Sequence, residues 1–81
     1  MLTYNMEDRQ ELSLYDYLYR CIKNDILSGR IPVGEKLPYK RSLAKHLDVS
    51  VITVENAYAQ LLLEGYICLL YTSFFSVCYV K

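Results

Sequence analysis

The sequence has no excess of charge of either sign: nine Lys and Arg balance nine Asp and Glu among 81 residues, so no global basic field draws the chain toward a polyanion. Any such attraction has to come from a local patch. A metal or disulfide signature is also missing, because the 3 cysteines, Cys21, Cys68 and Cys78, are odd in number and form no C-x-x-C pair. We therefore expect three free thiols acting as small hydrophobes in a reducing, cytoplasmic setting, with a redox sensor as the alternative. The single histidine, His46, has no second ligand at metal spacing, so it reads as a surface or phosphate-side residue. The opening MLTYNMEDRQEL carries acids and no apolar run, so no signal peptide is expected. The uncharged stretch from Tyr66 to Val80 is shorter than the roughly 20 residues that a membrane-crossing helix needs. There is no internal repeat or low-complexity linker. No set of nucleophile, base and orienting residue can be assembled, so no catalytic site is expected.

What is present is apolar and aromatic. Hydrophobic residues make up 53% of the chain and aromatics 14%, nearly all of them Tyr, which excludes disorder as the main state. A chain of 9.5 kDa holds one small domain whose core buries too little surface for generous stability, so help from a partner is expected.

Residues 13–28, SLYDYLYRCIKNDILS, place Leu14, Leu18, Cys21, Ile22 and Ile26 on one helical stripe, opened by Ser13 and Asp16 in capping-box spacing and closed by Gly29. The next stretch, RIPVGEKLP, is a connector by its prolines and glycine, with a brief strand expected over Glu35 to Leu37. KRSLAKHLDVSVITVENAY then reads as two short helical patterns broken at Asp48-Val49-Ser50, the rhythm of a helix-turn-helix. The first of the two should run from about Tyr39 to Leu47 and bury Leu43, Ala44 and Leu47. The second should start behind Ser50 and bury Val54, Ala57, Tyr58, Leu61 and Leu62 before Gly65, leaving Ile52, Glu55, Asn56, Ala59 and Leu63 outside. The remainder, YICLLYTSFFSVCYVK, is rich in strand formers and is compatible with a hairpin turning at Thr72-Ser73.

Ordered signposts along this framework carry a likeness. I-L-S-G, P-x-G-x-x-L-P, R-x-L-A, L-x-V-S, T-V and A-Y-x-Q-L-x-x-E-G-Y, taken together over Leu2 to Ile67, resemble the DNA-binding domain of the GntR family of bacterial transcription regulators. ENAYAQLLLEGYI and LYDYLYRCIKNDILSGRI are most similar to the MocR branch. The resemblance implies a mainly α fold with a small β-hairpin: a winged helix-turn-helix, made of a three-helix bundle plus wing, over residues 1–67. In the MocR branch a large domain resembling a pyridoxal-phosphate aminotransferase follows. That domain and its cofactor lysine would lie outside this chain, so no cofactor is expected within it, and homodimerisation is expected of the longer protein.

Two departures stand out. Tyr39 occupies a position where the family usually has a capping Ser or Thr, so the second helix should fray there at a cost of about 1 kcal/mol. Between Glu64 and Lys81 there is no charge and, after Gly65, no glycine, whereas the family's wing carries both. The expectation is that residues 68–81 are an atypical apolar tail in place of the usual wing, from a truncated or misread fragment.

The candidate contacts to double-stranded DNA follow from the motif. Lys36, Lys40, Arg41 and Lys45 form an acid-free cluster, and phosphate contacts from such cations orient a helix-turn-helix; the resemblance makes Arg41 the leading contact. The plain alternative is a solvated helix face. Ser50 and Thr53 offer hydroxyls, Asn56 suits adenine, and Val51 and Ile52 suit thymine methyl groups. Many family members carry Arg where this chain has Val51, so guanine readout by a bidentate fork is lost and A/T-leaning sites are expected. Val51 as a core residue is the competing reading. Glu55 either accepts from cytosine N4 or repels phosphate in a wrong register. Tyr58 belongs to the buried stripe, although its hydroxyl has the length to reach a phosphate. The alternative function is a winged helix for protein contact, with the apolar tail as an oligomerisation surface.

Overall fold

The computed structural model describes residues 4–9, 11–71 and 74–79. After a short 3-10 turn at Met6–Arg9 come α1 (Leu14–Ser28), α2 (Lys40–Leu47) and α3 (Val51–Leu63), then the antiparallel strands β1 (Ile67–Tyr71) and β2 (Phe74–Val77). Three helices with a two-stranded wing are the architecture that the sequence implied. The expected turn at Thr72-Ser73 lies outside the described residues.

Local chemistry sets the helix ends. Ser13 Oγ accepts the Asp16 N–H at 3.3 Å and satisfies one of the orphan donors of α1. Gly29 ends the helix at φ 86°, a left-handed conformation that a side chain would strain. Leu18, Ile22 and Ile26 are buried, while Leu14 and Cys21 sit half-buried at the margins of the stripe. Burial pushes the Cys21 thiol above its ordinary pKa, which keeps it protonated and poorly reactive. At α2, Tyr39 stands in the capping position and makes no side-chain cap bond.

The core gathers between α1, α3 and the wing. Leu18, Ile22, Leu43, Val54, Ala57 and Leu61 meet Ile67 and Val77 there, all essentially without solvent contact. Tyr58 joins them: its ring meets Phe75 edge-on at 5.6 Å and its hydroxyl donates to Pro38 O at 2.8 Å. The core reading of Tyr58 therefore holds, and the hydroxyl is committed. The connector lies alongside β2 and pairs with it through one isolated antiparallel bridge, Lys36 opposite Ser76. Leu37 N–H donates to Phe75 O at 2.9 Å, Val77 N–H to Glu35 O at 3.0 Å and Gly34 N–H to Val77 O at 2.7 Å, so where a brief strand was expected over Glu35 to Leu37 there is a single bridge instead of a full strand.

Two expectations are corrected. Leu62 is 42% exposed instead of buried, because it lies about 100° round the helix from Leu61, at the edge of the stripe that Val54, Ala57, Tyr58 and Leu61 fill. The cysteines are not three free thiols: Cys68 and Cys78 form a disulfide with their Cα atoms 5.8 Å apart. Sequence spacing conceals this pair. The hairpin sets Ile67 opposite Val77 and Cys68 opposite Ser76, which folds the chain back and brings the two cysteines alongside. No helix among the described residues is long and apolar enough to cross a membrane.

Candidate nucleic-acid interface

The corner between α2 and α3 is built by three residues. Asp48 adopts a left-handed conformation (φ 57°, ψ 48°), and its N–H closes α2 onto Ala44 O and Lys45 O. Val49 N–H also returns to Ala44 O, at 2.9 Å, so the chain reverses direction within a single turn of backbone. Ser50 then opens α3. Its Oγ accepts the Thr53 N–H at 3.2 Å and lies 2.8 Å from Thr53 Oγ1. Whichever hydroxyl donates in that pair, one hydroxyl proton remains for an outside acceptor.

Two exposed faces flank this corner. On α2, Arg41 and Lys45 are separated by one helical turn, and both are exposed, as are Ser42 and His46 between and beside them. On α3, Ile52 (67% exposed), Glu55, Asn56, Ala59 and Leu63 line the outer side, which is the face that the periodicity expected. Lys36 is exposed on the connector, at the bridge to Ser76 of the wing. Lys40 differs from the other cations: it is half-buried at the start of α2, and its Nζ lies 3.4 Å from Glu55 Oε2 on α3. Val51 is half-buried and packs on the core, so its side chain is divided between the interior and the outer rim.

The structure thus brings Arg41, Lys45, Ser50, Ile52 and Asn56 to the surface around the corner, with Thr53 half-buried beside Ser50. It draws Lys40 toward Glu55 and Val51 toward the core. The Lys40–Glu55 pair and the Ser50–Thr53 hydroxyl pair were both absent from the sequence reading. The second has a local signal, a hydroxyl residue three positions after a Ser cap. The first spans 15 residues across a corner, and no spacing rule finds it.

A helix-turn-helix of this geometry, backed by a two-stranded wing, matches known proteins on several measures. The sequence profile described as "Bacterial regulatory proteins, gntR family" matches residues 14–70. The chain belongs to the GntR family. It is 53% identical over 57 residues to an uncharacterised HTH-type transcriptional regulator, YdeL, of Bacillus subtilis, covering 70% of this chain and 12% of that protein. It is 35% identical over 57 residues to the probable rhizopine catabolism regulatory protein MocR of Rhizobium meliloti, covering 70% of this chain and 12% of that one. Among solved structures, YtrA from Sulfolobus acidocaldarius, a GntR-family transcription factor, superposes with a TM-score of 0.81 at 31% identity, covering 88% of this chain and 74% of that one. The chain is a winged helix-turn-helix DNA-binding domain of the kind found in these transcription regulators, and the protein-contact alternative is not favoured. It spans about an eighth of the length of the curated regulators it matches first.

One surface cavity is lined by Tyr4, Met6, Leu14, Leu47 and Val49 and another by Ile26, Ile31, Val33 and Tyr79, and neither has a lysine in its wall. Among the described residues no group of His, Cys, Asp or Glu is arranged to hold a metal ion.

Proposed function

We propose that this GntR-family domain binds double-stranded DNA with α3 in the major groove and α2 across the backbone, as the amino-terminal reader of a longer, cytoplasmic, MocR-like regulator. The observation that carries the proposal is the exposed cation pair Arg41 and Lys45 beside the exposed residues Ile52 and Asn56, on either side of the Asp48 corner. Phosphate contacts come from Arg41 and Lys45, with Lys36 reaching from the connector, and they set the register. Ile52 offers its methyl groups to thymine and Asn56 its amide to adenine, while the Ser50–Thr53 pair donates its remaining proton to phosphate or base. Lys40 contributes a cation shared with Glu55, and Val51 only its outer edge.

The site has no catalytic role in this reading. The aminotransferase-like domain, its pyridoxal phosphate and the surfaces that form a homodimer on a two-fold operator belong to the longer protein. Residues 68–81, which carry no charge before Lys81 and no glycine, unlike a family wing, depart from the native sequence in this reading. Sequencing the genomic locus checks that point, and an identical tail read through to a stop codon refutes it.

The direct test selects duplexes from a randomised library and compares the wild-type chain with an Arg41→Glu, Lys45→Glu variant. Wild type should bind with an affinity that falls with salt at a log–log slope of about −0.9 per neutralised phosphate. The variant should lose at least about a hundredfold, since reversal replaces two attractions by two repulsions. Equal binding by both proteins refutes this placement of the DNA.

A further inference from the structure

The recognition face carries one acid, and the structure shows where it is held. Glu55 is the only charged residue of α3, and it projects from the exposed face between Ile52 and Ala59, next to Asn56. Its Oε2 lies 3.4 Å from Nζ of Lys40, the first residue of α2. A lysine at a helix N-terminus meets the positive end of the helix dipole, so an acid from the neighbouring helix is a favourable partner for it. The pair stays partly open to solvent, with side-chain exposures of 35% for Lys40 and 55% for Glu55, so both groups remain within reach of a ligand on this face.

A carboxylate brought against a polyanion is repelled unless a donor faces it. Lys40 engages one of its oxygens, and the other retains lone pairs to accept a further bond. In the major groove the donors are the amino groups of cytosine and adenine, and the amide of Asn56 suits adenine whereas a carboxylate suits cytosine N4. We propose, on the footing of the DNA-binding reading above, that Glu55 is a specificity-determining residue. Held by Lys40, it accepts a hydrogen bond from a cytosine N4 amino group, and on sequences without that cytosine it cancels the attraction of Lys40 for phosphate. On a cognate site the base amino group and Lys40 share the carboxylate, and Lys40 also reaches a phosphate. On other sequences the carboxylate keeps Lys40 to itself and adds repulsion. Glu55 thereby raises the contrast between right and wrong sites more than the affinity for either.

The test uses fluorescence anisotropy with a duplex selected from a randomised library and a scrambled duplex, across a series of KCl concentrations. The proteins are wild type, Glu55→Ala, Lys40→Gln and the double variant; Glu55 is exposed and Ala suits a helix interior, while Gln keeps most of the length of the half-buried Lys40 side chain. Glu55→Ala should tighten binding to the scrambled duplex several-fold and steepen its salt slope by about 0.9, the effect of one further phosphate contact. It should lose about tenfold on the selected duplex and become indifferent to exchange of a single C·G pair, as expected when one base contact disappears. In the Lys40→Gln background, Glu55→Ala should no longer steepen the slope. If wild type binds the selected duplex but Glu55→Ala leaves either the scrambled-duplex slope or the C·G preference unchanged, the role of Glu55 is refuted and DNA binding stands. If wild type binds no selected duplex at all, DNA binding fails and the role of Glu55 fails with it.

Discussion

Replacing Tyr58 by Phe separates packing from DNA contact at a residue whose sequence position permits both. The ring is 2% exposed and meets Phe75 edge-on at 5.6 Å, and Phe preserves that packing without leaving a cavity. Only the hydroxyl is lost. Burial holds the phenol well above the usual tyrosine range, so the group is protonated at any working pH and donates to Pro38 O at 2.8 Å. That bond ties the middle of α3 to the residue that leads into α2, 20 positions earlier. Deleting it removes about 1 kcal/mol of net hydrogen bonding and leaves a partly buried carbonyl with one partner fewer, so the total loss should be about 1–2 kcal/mol. For a domain of this size each kcal/mol lowers the melting temperature by about 4–8 °C. Thermal and urea unfolding followed by circular dichroism measure the stability. DNA affinity of Tyr58→Phe, taken well below its melting temperature, should stay within about twofold of wild type, because the hydroxyl points at protein and not at phosphate. A variant with unchanged stability and a large loss of DNA affinity would show that the hydroxyl contacts the duplex, which would overturn the inward orientation.

Three more perturbations probe the corner and the face. Ser50→Ala removes the cap that accepts Thr53 N–H and should cost about 1 kcal/mol in urea unfolding; a change below about 0.3 kcal/mol would mean that the cap contributes nothing measurable. Asp48, the one described non-glycine residue at positive φ, should tolerate Gly within about 0.5 kcal/mol, whereas the β-branched Asp48→Val should cost about 1–2 kcal/mol; equal melting temperatures for the two would deny the strain. Exchanging thymine for uracil in a selected duplex should weaken binding by about 1 kcal/mol at the position facing Ile52, and unchanged affinity at every thymine would rule out methyl readout.

Much of this domain follows from interactions within one or two helical turns. Ser13 and Ser50 accept from the N–H three residues on, Gly29 takes the left-handed exit, and the apolar period of α1 puts Leu18, Ile22 and Ile26 inside. Such features are legible in sequence because both partners lie within a few residues and the backbone geometry between them is fixed. The outer face of α3 was legible for the same reason. Leu62 was misplaced because periodicity gives an angle but not the width of the surface that a neighbouring element covers.

What the chain alone determined was the set of helices, the corner at Asp48 and the family. What tertiary packing decided were the pairings across distance: Lys40 with Glu55, the Tyr58 hydroxyl with Pro38 O, the Tyr19 hydroxyl with Glu64, and Cys68 with Cys78. None of these has a spacing signature, since the separation of partners along the chain depends on connector length, and their meeting depends on how α1, α3 and the wing close over a shared core. The same packing turned a plain run of four cations into two exposed grips and one lysine restrained by an acid, with the fourth set apart on the connector beside the wing.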